Sequence, residues 1–133
     1  MLNPEQRLVG LLVGVLETVC SQVLLGYAAT GVEQDLKPPA ILLQLESISE
    51  LQQQGSRRKD QWLFNLSAVV PTNDRATYAL LEFTRTIRQA LSSDKALAEQ
   101  CRKLTFSETQ FDIAPRQGQL SFADITLTLE TVF

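Results

Sequence analysis

Apolar residues recur at helical spacing near the start of the chain, then at every second position, then at helical spacing again, and finally at every second position. Leu8, Leu12, Val15, Val19 and Val23 follow steps of three or four, and Leu11, Leu16 and Cys20 widen their stripe, as in a helix laid on a core. Asn3 is placed to cap that helix, Pro4 suits its first turn, and Gln6 stands where a capping box has its return partner. The helix is therefore expected from about residue 4 to about residue 25. Gly10 and Gly14 lie one turn apart within it, a spacing that admits either a close helix contact or, the favoured reading, room for a bulky neighbour across the core. Residues 26–39 mix Gly, Thr, Asp and a Pro-Pro pair, the composition of a loop that delivers the chain in extended form.

In residues 40–48, Ile41, Leu43 and Leu45 share one face and Gln44 and Glu46 the other, which predicts a half-buried strand. Residues 61–70 repeat the pattern with Trp62, Phe64, Leu66, Ala68 and Val70 against Asn65 and Ser67, and Pro71 marks the end. The polar stretch 52–60 between them is expected to form the tip and descending edge of a long hairpin, too long for a tight turn. A second helix follows, capped by Asn73 or Asp74 and ending near residues 91–93. Its inner stripe is Leu80, Phe83, Thr84, Ile87, Ala90 and Leu91. Residues 94–102 read as a short helical turn. Residues 104–113 and 120–133 form two more strands joined through Pro115-Arg116-Gln117-Gly118, the last with Ala123, Ile125, Leu127 and Leu129 inward. The expected fold is α+β, in the order α-β-β-α-β-β: a four-stranded, mainly antiparallel sheet with both helices on one face. Its other face, with Gln44, Glu46, Asn65, Ser67, Thr126 and Thr128, is expected to be polar.

The 133 residues, 44% of them apolar, fit one domain spanning residues 1–133 that folds without disulfide or metal. With 12 basic against 15 acidic residues the net charge is -3, so no global field attracts nucleic acid. Cys20 and Cys101 are too few and too isolated for a disulfide scaffold or a zinc site, and a reducing cytoplasm suits them. The absence of histidine removes the commonest general base and metal ligand. The apolar run at residues 8–16 and the cleavage-like Gly26-Tyr27-Ala28 raise the question of a secretory leader. The flank lacks a clear basic character, and Glu17, Ser21 and Gln22 interrupt the run, so a buried helix is favoured over a leader or a membrane span.

Two constellations bear on chemistry. Arg57, Arg58 and Lys59 stand beside the only tryptophan, Trp62, as cations and an aromatic would in a nucleic-acid contact. Trp62, however, begins the alternating apolar set, which places it in the core. The three cations are then exposed at the hairpin tip, as a protein-binding loop or a solvated turn, with no specific nucleic acid expected. Glu108, Asp112, Asp124 and Glu130 are brought near one another by the last hairpin, but alternation with Thr marks a wet strand face. Ser92-Ser93-Asp94-Lys95 resembles only a helix cap. No catalytic, metal or cofactor-binding residue is assigned.

The stretches "LKPPAILLQLES", "WLFNLSAVVPTNDRATYALLEFTRTIRQAL" and "LSFADITLTLETVF" together resemble the tail-terminator, or tail-completion, proteins of long-tailed bacteriophages and prophages. Pro39-Ala40-Ile41-Leu42-Leu43 and Ala76-Thr77-Tyr78-Ala79-Leu80-Leu81 carry most of the likeness, which covers residues 8–133 as a pattern rather than a diagnostic motif. The resemblance implies a non-enzymatic structural protein without cofactors. Such a protein assembles in the host cytoplasm as a homohexameric ring, ends growth of the tail tube, and offers a docking surface to the head-neck connector in the virion tail. Arg57, Arg58 and Lys59 then become candidate contacts with a neighbouring subunit or the tube protein. Another phage neck or connector protein, or a small α+β ligand-binding or regulatory domain, is the alternative.

Overall fold

A computed structural model describes residues 2–26 and 37–133. The elements are α1 (Pro4–Val19), β1 (Val23–Leu25), β2 (Ala40–Gln54), β3 (Arg57–Pro71), α2 (Ala76–Ser93), α3 (Lys95–Gln100), β4 (Lys103–Asp112) and β5 (Leu120–Val132). The fold is α+β, and among the described residues the sheet has five strands rather than four, in the order β1-β2-β3-β5-β4. It is mixed: β1 joins β2 in parallel and every other pairing is antiparallel. Among the described residues three helices accompany it where two were expected. The expected helical turn after residue 94 is the third, capped by Asp94, whose Oδ1 accepts from the Leu97 amide at 2.9 Å.

The capping box at the start of α1 forms as its sequence predicts. Asn3 Oδ1 accepts from the Gln6 amide at 2.8 Å, and Gln6 Oε1 accepts from the Asn3 amide at 3.1 Å. The expected end at residue 25 is wrong. The helix stops at Val19, and Val23–Leu25 leave it to pair with Ile41, Leu42 and Leu43. Val19 and Val23 keep helical spacing across Ser21 and Gln22, so periodicity does not mark the change, and here the sheet edge decides. Gly26 lies at the end of this strand, whereas Tyr27 and Ala28 of the cleavage-like stretch, with most of the expected loop, lie outside the described residues. The second helix is not capped by Asn73 or Asp74 in the expected way. Its N-cap is Arg75, and Asn73 Oδ1 instead accepts from the Arg75 amide at 2.8 Å, closing the turn before it.

One apolar core lies between the helices and the sheet's inner face. Leu8, Leu12, Val15 and Leu16 of α1 and Leu80, Ile87 and Leu91 of α2 meet Trp62, Phe64 and Leu66 of β3 and Ile125, Leu127 and Leu129 of β5, as the stripes predict. The outer face departs from the expected polarity at one end. There Ala40, Leu42, Val69 and Phe122 are buried as a second apolar cluster, and Ser67 is buried with its hydroxyl donated to Asp124.

The hairpin of β2 and β3 differs most from expectation. Residues 52–60 are not a loop: pairing continues to Gln54↔Arg57, and only Gly55 and Ser56 turn the chain. Gly55 has φ of 61°, the left-handed value that a Gly-first two-residue hairpin turn requires. Polar side chains on both faces conceal two strands that pair with each other up to the turn. Two bulges interrupt β2, one skipping Glu46 and one skipping Leu51. The first changes which residues face inward: Leu45 opposes Phe64 and Ile48 opposes Trp62, so Ile48 joins the inner face although it lies an odd number of residues from Leu45.

Candidate interaction surface

Because Arg57, Arg58 and Lys59 belong to a strand, the period of two divides them between opposite faces of the sheet. Arg58 shares the inner face with Asp60 and Trp62. Its Nε donates to Asp60 Oδ2 at 2.9 Å, and its Nη2 lies 3.8 Å from Glu5 at the start of α1. Asp60 is only 1% exposed, and Arg58, whose own side chain stays 45% exposed, is the cation that pairs with it. Arg58 is therefore structural. Trp62 is buried beside it and stacks with Phe64, while its Nε1 donates to the buried Thr131 Oγ1 at 3.0 Å. No indole face is available for a nucleobase.

Arg57 and Lys59 project on the outer face. There they line a shallow cavity of about 260 Å³ with Gln52, Gln54, Val132 and Arg102. Arg102 was not singled out in the sequence reading, because it lies between a short helix and a strand, far along the chain from the triplet. Its amide donates to the Glu130 carbonyl at 2.8 Å, and this bond holds it beside β5, where β3 brings Lys59. Lys59 is partly neutralised by Glu130 at 3.2 Å. Arg57 and Arg102 form no ion pair among the described residues. Together with two glutamine amides they suit an anionic, hydrogen-bonding partner group such as a carboxylate.

The four candidate carboxylates are not brought together. Asp124 and Glu130 are six residues apart on β5, about 20 Å at the rise of a strand. Asp124 accepts from Ser67, Glu130 pairs with Lys59, and Glu108 accepts from the Gln110 side-chain amide. No group of three His, Cys, Asp or Glu residues suited to a metal ion occurs among the described residues. Both cysteines are free and buried, and burial pushes the Cys101 thiol up to about 11, which leaves it protonated and a poor nucleophile near neutral pH. No helix among the described residues is long and apolar enough to cross a membrane.

A second surface lies on the opposite side of the hairpin. Val9, Gly10 and Val13 of α1 face Leu25, Leu45 and Ile48 across an open apolar groove of about 630 Å³, with Trp62 at its floor and Asn3, Glu5 and Gln6 at one end. Gly10 and Gly14 form neither of the contacts considered for them, since a methyl group added at either would meet no atom within 4 Å. Gly10 instead leaves the wall of this groove low. The sequence does not reveal the groove, because Ile48 reaches it only through the bulge at Glu46.

No family model matches the chain, and no curated protein sequence matches it.

Proposed function

We propose that this chain is a non-enzymatic structural protein of phage-tail assembly, which caps the completed tail tube as a homohexameric ring, ends its elongation, and presents a docking surface to the head-neck connector. The reading rests on the resemblance carried by Pro39-Ala40-Ile41-Leu42-Leu43 and Ala76-Thr77-Tyr78-Ala79-Leu80-Leu81. The observation that supports it is the far half of the β2–β3 hairpin, where β3, still paired with β5 on its other side, carries exposed Arg57 beside Lys59 and Arg102. Cations held in strand geometry, where they stabilise little of the fold, suit repeated contact with an acidic patch on a neighbouring subunit or the tube protein. In a closed ring one such contact recurs at every joint, so a small contribution per subunit is multiplied.

A null mutant of the gene should produce tails of irregular length that lack a terminal ring and do not join heads, and the wild-type gene supplied in trans should restore them. Normal tails in the null mutant, seen by electron microscopy, overturn the reading. The apolar groove favours a second reading, a small ligand-binding or regulatory domain, since its volume lies in the range of small-molecule sites. The neighbouring genes separate the two: sheath or tube proteins accompany the first and metabolic enzymes the second.

A further inference from the structure

The groove between α1 and the far half of β2 and the outward stripe of α2 are complementary in length, polarity and charge. On the groove side, Gln6, Val9, Gly10 and Val13 recur at helical spacing over two turns of α1, and Leu45 and Ile48 form the facing wall. Glu5 lines its end, where Arg58 pairs with it, and Glu50, opposite the inward Asp60, shares the inner face with Ile48. From Gln44 to Gln54 that strand has no partner on its outer edge among the described residues. On α2, Tyr78, Leu81 and Arg85 recur over the same two turns and point away from the core. Tyr78 is 67% and Leu81 50% exposed, which is high for residues of their size. Arg75 lies over the Tyr78 ring at 5.8 Å, and Arg88 flanks the stripe further along. Glu82 is the acid of that helix, and Asp74 precedes it.

From these observations we infer that the groove receives the Tyr78-Leu81-Arg85 stripe of a second copy of this chain, a head-to-tail contact in which each subunit offers one socket and one helix. Tyr78 and Leu81 fill the apolar trough, the absent side chain at Gly10 lets the incoming helix approach α1, and Arg75 and Arg85 meet the acids of the groove side. Socket and helix are different surfaces of one molecule, so the contact propagates from copy to copy and closes only if its rotation allows a ring. The inference shares with the ring reading the premise that copies of this chain assemble, and it names the surfaces that join them.

Two variants test it in purified, concentrated protein treated with a short bis-maleimide. Val13→Cys/Leu81→Cys should give a ladder of dimers, trimers and higher species, while Val13→Cys alone and Leu81→Cys alone give none above the background of the buried native thiols. Adding Gly10→Leu to the double variant fills the trough without touching the core, and should reduce the ladder at least tenfold with the melting temperature unchanged or raised. A double variant without a ladder, single variants that cross-link equally well, or a ladder insensitive to Gly10→Leu overturns the inference. Failure of the tail reading looks different. In that case the ladder forms and responds to Gly10→Leu, while tails made with the Gly10→Leu protein are normally terminated.

Discussion

The two halves of the β2–β3 hairpin are built from the same ladder of hydrogen bonds and serve opposite ends. In the near half, Ala40–Leu43 and Leu66–Val70 are buried, with apolar clusters on both faces of the sheet. In the far half, beyond the bulge at Glu46, every residue of β2 is exposed, and the side chains of β3 up to Lys59 interact mainly through charge. The near half is buried on both faces, whereas in the far half β3 still places Trp62 and Asp60 inside and only β2 turns all its side chains to the surface. The difference shows that regular secondary structure and burial are separate properties. A strand can be fixed by its partner's backbone while its side chains remain available for contact.

Substitutions in the two halves and the strands they pair with should therefore differ sharply in cost. The largest loss is expected for Leu127→Ala, opposite Phe64 and fully buried, at about 2–5 kcal/mol for a truncated core leucine. Leu51→Ala, on an exposed bulge of the far half, should change stability by less than about 0.5 kcal/mol. Urea denaturation of both variants checks the pair, and equal costs would erase the distinction.

Neighbouring cations sharpen the same contrast within one strand. Arg58→Ala leaves the buried Asp60 carboxylate without its cation and should cost about 1–3 kcal/mol, the range for stranding a buried polar group. Arg57→Ala, one residue earlier and on the other face, should stay within about 0.5 kcal/mol. In a double-mutant cycle Asp60→Asn should recover part of the Arg58→Ala loss, and the absence of any coupling would show that the ion pair stabilises nothing. The smallest effect is a gain: Gly14→Ala should stabilise the protein by about 0.5–1 kcal/mol, because α1 has open space there and alanine loses less backbone freedom than glycine. A lower melting temperature for Gly14→Ala would mean that α1 is packed on that side.

The contrast between the halves also explains what could be read in advance. Alternation revealed the strands wherever one face was apolar, as in Trp62, Phe64 and Leu66 or Ile125, Leu127 and Leu129, and the stripes of α1 and α2 converged on the core that forms. Residues 52–60 carried no such alternation, so a paired strand resembled a loop. Val23–Leu25 failed for the opposite reason, since Val23 stands four residues after Val19 and so continues the helical stripe across a change to strand. The cationic cavity was half legible: the triplet was conspicuous, but its division between faces followed from strand geometry, and Arg102 joined it only through pairing between distant segments. The groove was hidden because a bulge, invisible to periodicity, turns Ile48 inward.

The central claim is that the outer face of the far half is an assembly surface and not merely a solvated strand. Its direct test reverses the two cations that the fold does not use, Arg57→Glu and Arg102→Glu, and leaves Arg58 with Asp60. The variant should keep the circular dichroism spectrum and melting temperature of the wild type. When it replaces the wild type in a complemented null mutant, electron microscopy should show tails of irregular length without a terminal ring and not joined to heads. Tails of normal length joined to heads would contradict the account and leave the cationic cluster as a solvated face of the sheet.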